Sequence, residues 1–135
     1  MNPVIPGKLY RSSRPGYEAD SNSIVSMGQV QQWLDKAQTL GIASIICILD
    51  EEHLRLYPDS DLIGIYRTAG FTVCHLSARD HSIPPLTPVQ LDQILTAYRS
   101  LPKPVLIQCS AGLGRTGVAW AHILGHEGQP ALHQL

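Results

Sequence analysis

Two largely apolar stretches constrain the fold of this chain more than any other feature. Ala43 to Leu49 and Pro104 to Gln108 are rich in Ile, Leu and Val and too short for helices. A half-exposed strand alternates polar and apolar residues, so runs of this kind read as strands covered on both faces. The segments around them supply the covering layers. Ser26 and Gln29 have capping-box spacing, and Val30, Trp33, Leu34, Ala37 and Leu40 follow at helical intervals, so a helix is predicted from Met27 to Leu40 with Gly41 as its stop. Leu62, Ile63, Tyr66 and Ala69 predict a shorter helix ended by Gly70, and Phe71 to Leu76 reads as another strand. Thr87, Pro88 and Gln90 combine an N-cap, a first-turn proline and a capping-box partner ahead of Leu91, Ile94, Leu95 and Tyr98. Lys8 to Arg11 reads as a short strand, Ser13 to Gly16 as a turn, and Gly117 to Leu124 as a last helix. Strands alternating with helices over short connections give an α/β domain with a mainly parallel central sheet and helices on both faces.

At 135 residues the chain is sized for one core, and 44% hydrophobic against 16% charged residues is a globular balance. The net charge of -1, with no block of like charge, excludes a general electrostatic case for nucleic-acid or membrane-surface binding. The apolar runs fall far short of the ~20 residues that span a bilayer. The opening MNPVIPGKLYR has no basic start followed by an apolar stretch, so no secretory signal is read there and a cytoplasmic location is expected. Three widely spaced cysteines, Cys47, Cys74 and Cys109, make no disulfide framework and are expected to stay thiols. Cys47 and Cys74 lie inside apolar runs and read as core residues.

Cys109 stands apart. Ligands of parallel sheets bind beyond the carboxyl ends of the strands, which points to Cys109-Ser-Ala-Gly-Leu-Gly-Arg115-Thr116-Gly117, between a predicted buried strand and a predicted helix. Gly112 and Gly114 let the backbone curl, so that the N–H groups of Ser110, Ala111, Gly112, Leu113 and Gly114 form an anion-binding nest. The following helix adds its unsatisfied N–H groups and the positive end of its dipole. Arg115 brings a planar fork that grips two phosphate oxygens at once. Cys109 at the base is then favoured as thiolate, the nucleophilic form, and Thr116 is placed to donate its hydroxyl to the sulfur when it leaves.

The stretch Ile107 to Gly117 resembles the signature loop of cysteine-dependent protein tyrosine and dual-specificity phosphatases. Gly7 to Pro15 and Asp80 to Pro84 are similar to segments of the small atypical dual-specificity group. The resemblance implies a phosphatase-like catalytic domain over residues 1–135, with no metal and no cofactor. It implies a two-step reaction, in which the cysteine takes the phosphoryl group and water then hydrolyses the cysteinyl-phosphate. The implied substrates are phosphorylated protein or peptide side chains, phosphotyrosine together with phosphoserine and phosphothreonine, and phosphate, vanadate or tungstate would occupy the loop. Inositol phosphates or lipids are an alternative, weakened by the lack of Lys at positions 110 to 114. A phosphate-recognition module without turnover is the rival from another class.

Such chemistry needs an acid for the leaving oxygen and a base for the water. Asp80 is the expected residue, since it follows the strand Phe71 to Leu76 and a parallel sheet would present it on the same edge as Cys109. Asp50, after the Ala43 to Leu49 strand, is the rival acid, although Glu51 and Glu52 beside it read as a solvated cluster. Asp92 falls within a helix. Two departures from the family stand out. Gln108 occupies the place of the usual His and carries no charge, and the chain ends at Leu135, where the family adds further helices. His122 and His126 have a metal-compatible i, i+4 spacing but read as surface or packing residues. Arg11 and Arg14 are open between a substrate-binding rim and ordinary surface charge. Trp33 reads as core.

Overall fold

In the computed structural model, which describes residues 1–17, 23–79, 83–111 and 114–127, five strands and five helices follow one another along the chain. They are β1 (Asn2–Ile5), β2 (Leu9–Ser13), α1 (Met27–Thr39), β3 (Ser44–Ile48), α2 (Glu51–Leu54), α3 (Leu62–Thr68), β4 (Thr72–Leu76), α4 (Pro88–Ser100), β5 (Val105–Cys109) and α5 (Gly114–Glu127). The predicted signals set the helix ends. Ser26 and Gln29 form a complete capping box on α1, as do Thr87 and Gln90 on α4. Gly41 and Gly70 take the positive φ angles, 74° and 101°, that turn the chain out of α1 and α3 toward the next strand.

The strands form one sheet in the order β1-β2-β5-β3-β4. β2, β5, β3 and β4 run parallel, and β1 adds antiparallel to β2 at the edge. The sequence pattern does not predict β1, whose four residues include Pro3. Proline is tolerated there because an edge strand leaves one row of backbone groups unpaired. β3 and β5 are buried at every position, as their largely apolar runs require, with Ser44 and Gln108 buried as their polar members.

Side chains alternate across the sheet and feed two cores. On one face Ile46, Ile48, Val105, Ile107 and Cys109 pack with Ile94, Leu95 and Tyr98 of α4 and Ala119, Ile123 and Leu124 of α5. On the other, Ile45, Cys47 and Leu106 pack with Val30, Trp33, Leu34 and Ala37 of α1 and Leu62 and Tyr66 of α3. Trp33 is core, as expected, and stacks on Tyr66 at 5.2 Å between ring centroids. Cys47 is fully buried, whereas Cys74 is only half-buried because β4 is the outer strand of the sheet. Among the described residues no helix is long and apolar enough to cross a membrane.

Candidate active site

The carboxyl edge of the parallel sheet gathers the candidate residues. Cys109 is the last residue of β5, and its backbone pairs with Ser13 at the end of β2. The thiol is free and 2% exposed. Ser110 is buried beside it, and Ala111 is half-buried. Gly112 and Leu113 lie outside the described residues, and the chain resumes at Gly114, the first residue of α5.

Arg115 follows in the first turn of α5 and is 2% exposed. Its Nη1 donates to the carbonyl of Ala78, just beyond β4, at 2.6 Å. A charge-assisted bond of this kind fixes the guanidinium against the segment that leads in sequence to Asp80. Asp80 itself lies outside the described residues. Thr116 is fully buried, and its hydroxyl has no hydrogen-bond partner among the described residues.

Gln108 is fully buried on the face opposite Cys109, as strand alternation demands. Its Nε2 donates to Cys47 Sγ at 2.9 Å and to Tyr66 Oη at 3.0 Å. Burial pushes the Cys47 thiol and the Tyr66 phenol well above their usual ranges, so both stay protonated and neutral around the amide. The residue in the place of the family His is thus tied to β3 and α3 by its side chain.

Asp50 has another occupation. It is the N-cap of α2, and its Oδ1 accepts from the His53 backbone N–H and meets His53 Nδ1, both at 3.1 Å. A short helix starting there escapes sequence reading because four residues show no periodicity. Asp92 meets His122 Nε2 at 3.5 Å across the α4–α5 contact, and the His122 and His126 rings lie 4.5 Å apart. All three sit on helices rather than in the Cys109 loop.

Arg14 departs from both alternatives that the sequence leaves open. It is 1% exposed, so it is neither rim nor surface charge. Its Nε donates to Ser110 Oγ at 3.3 Å, and its Nη1 donates to Tyr57 Oη at 3.2 Å. Its backbone N–H donates to Ser110 O at 3.0 Å. Tyr57 in turn donates to Pro15 O at 2.6 Å. Trp33 Nε1 donates to Ser13 O at 3.0 Å, which steadies the residue paired with Cys109. Arg11 is half-buried, its guanidinium 6.0 Å from the centre of the Trp120 ring. A cavity of about 320 Å³ flanks Ala78 on the same edge, lined by Asp50, Glu51, Glu52, Arg55, Ser77 and Arg79.

A family model described as Tc-R-P, a polymorphic toxin system DSP-PTPase phosphatase, matches residues 25–129. The chain belongs to this DSP-PTPase phosphatase family. The match runs from the start of α1 to the end of α5 and includes the whole Cys109 to Thr116 loop of the phosphatase domain. The fold agrees. A crystal structure of a mutant form of Tk-PTP superposes with a TM-score of 0.64 at 19% identity, covering 98% of this chain and 75% of that one. No curated protein sequence matches the chain.

Proposed function

We propose that this DSP-PTPase domain hydrolyses phosphomonoesters through a cysteinyl-phosphate on Cys109, with phosphorylated protein side chains as substrates and phosphotyrosine foremost. The observation that carries this reading is Arg115. A guanidinium that is 2% exposed, bonded to Ala78 O, follows closely after a buried free cysteine at the carboxyl edge of a parallel sheet. A planar guanidinium held there can bind two oxygens of a phosphoryl group in the loop at once.

In the first step the Cys109 thiolate forms a bond to phosphorus while the ester P–O bond breaks. Asp80 gives its proton to the departing oxygen. In the second, the Asp80 carboxylate takes a proton from water as the water oxygen attacks phosphorus. The S–P bond breaks, and inorganic phosphate and the thiolate are released. Arg115 and the loop N–H groups bear the charge on the phosphoryl oxygens throughout, and the Thr116 hydroxyl donates to the sulfur as it leaves. Gln108 bonds on the other face of the sheet, which supports turnover over recognition alone. Residues 1–135 would act as one catalytic unit, a phosphatase domain of the kind that the family description assigns to polymorphic toxin systems.

Phosphate release from p-nitrophenyl phosphate, phosphotyrosine, phosphoserine and phosphothreonine peptides and an inositol phosphate tests this directly. The expected result is turnover of the aryl and peptide substrates, abolished in Cys109→Ser while tungstate binding persists. Full activity in Cys109→Ser refutes the mechanism. Preference for the inositol phosphate refutes the substrate class, and tight peptide binding with no phosphate release makes the domain a recognition module.

A further inference from the structure

Arg14 is among the largest fully buried side chains of the described residues, yet it ends in a guanidinium cation. Among the described residues no carboxylate forms a salt bridge with it. Its hydrogen-bond partners among the described residues are neutral: Ser110 Oγ and Tyr57 Oη. Burial raises the Tyr57 phenol to about 12, against the opposing influence of Arg14, so Tyr57 remains an uncharged partner. The Tyr17 ring, 5.8 Å away, adds only a cation–π contact. A buried cation held by neutral dipoles is poorly compensated. What sets this one apart is its position, directly behind the first residue of the Cys109 loop.

We propose that Arg14 is a positioning residue for oxyanion binding, which braces Ser110 from behind the loop and takes the bound phosphoryl group as its counter-charge. The proposal rests on the reading of residues 109–116 as the phosphate loop. Two bonds from one residue hold Ser110, the side-chain bond from Nε and the backbone bond from the Arg14 N–H to Ser110 O. The pairing of Ser13 with Cys109 puts the two segments in register. Tyr57 completes the brace, because it accepts from Arg14 and donates to Pro15 O, locking the guanidinium to its own turn. A fork can reach Ser110 and Tyr57 together; a lysine cannot. Arg115 grips from the α5 side, whereas Arg14 acts from just past the end of β2 and touches the anion only through Ser110 and its field.

The test uses the full chain with tungstate as probe and p-nitrophenyl phosphate as substrate. Arg14→Met is expected to weaken tungstate binding and lower kcat/KM by about tenfold or more, the size of a lost charge-assisted bond. A role in stability alone would lower Tm by the same amount with and without tungstate. The brace predicts instead that the rise in Tm brought by saturating tungstate shrinks in Arg14→Met. Because Arg14 works through Ser110, Arg14→Met in a Ser110→Ala background should cost less than in the native background. Unchanged tungstate affinity in folded Arg14→Met, or effects of the two substitutions that multiply, would overturn the proposal. Should Arg14→Met fail to fold, Arg14→Lys serves, since it keeps the charge but loses the fork. Tungstate affinity equal to the native protein's in Arg14→Lys overturns the brace. A native protein that binds no tungstate, or a Cys109→Ser variant that turns over normally, overturns the loop reading and this proposal together. Native binding that is indifferent to Arg14 overturns this proposal alone.

Discussion

Replacing Gln108 tests whether the departure from the family His matters to the fold or to the chemistry. In Gln108→Leu the amide no longer donates to Tyr66 Oη, a bond of 3.0 Å inside a fully buried site. Stranding a buried hydroxyl costs about 1–3 kcal/mol. The lost bond to Cys47 Sγ adds little, since sulfur is a weak acceptor. Gln108 Oε1 has no hydrogen-bond partner among the described residues, so removing it returns part of the loss. The net destabilisation should be about 1 kcal/mol. Tyr66→Phe breaks the same bond from the other side and leaves Nε2 with Cys47 alone, at about 1–2 kcal/mol. Once either partner is gone the second substitution breaks nothing further. The double variant should therefore fall short of the sum by about 1 kcal/mol or more. Urea unfolding of the four proteins, with m values that agree, measures this coupling. Additivity within about 0.5 kcal/mol would show that the bond contributes nothing. Because the side chain lies on the face away from Cys109, kcat of folded Gln108→Leu should stay close to the native value. A collapse of kcat in that variant would refute the separation of the two faces.

Arg115→Lys replaces a fork with a point charge, and kcat should fall by about 10²–10³ along with binding, as for loss of a transition-state donor; a change confined to KM would refute that role. Asp80→Asn should slow release of phosphate from a phosphoserine peptide far more than from p-nitrophenyl phosphate, whose leaving group scarcely needs a proton. Asp50→Asn should show no such dependence, and since Asn caps helices as well as Asp, it should leave α2 intact; the opposite pattern would make Asp50 the acid. Activity should survive EDTA, and vanadate should inhibit competitively; loss on chelation, restored by a divalent ion, would refute metal-free chemistry.

The parts of the fold that were legible in the sequence are those with local causes. Ser26 with Gln29 and Thr87 with Gln90 announce α1 and α4 because capping is settled within four residues. β3 and β5 declare themselves because burial on both faces leaves one polar position in each, Ser44 and Gln108, too few for the alternation of a half-exposed strand. The Cys109 to Thr116 loop is legible for the same reason, being one contiguous segment between a strand and a helix. Arg14 was not legible. Its partner Ser110 is 96 residues away and Tyr57 43 away, so nothing near Arg14 in the chain marks it as buried. The capping role of Asp50 was not legible either, because a strand end followed by acidic residues describes a candidate acid and the cap of a one-turn helix equally well.

The place of β5 in the sheet carries a consequence for how the site comes into being. Among the described residues β5 is the last strand in sequence, but it lies between β2 and β3, which do not pair with each other. Until Val105–Cys109 has been made, the protein consists of two separate pieces, the β1–β2 hairpin and the β3–β4 pair, each with a bare edge. Closing the sheet and delivering Cys109 are then one event. A growing chain stopped before residue 105 has neither a continuous sheet nor a cradle, and its two open strand edges invite capture by chaperones or by other chains. The segment that completes the architecture also brings in Cys109, so the proposed activity could begin only once the sheet is closed.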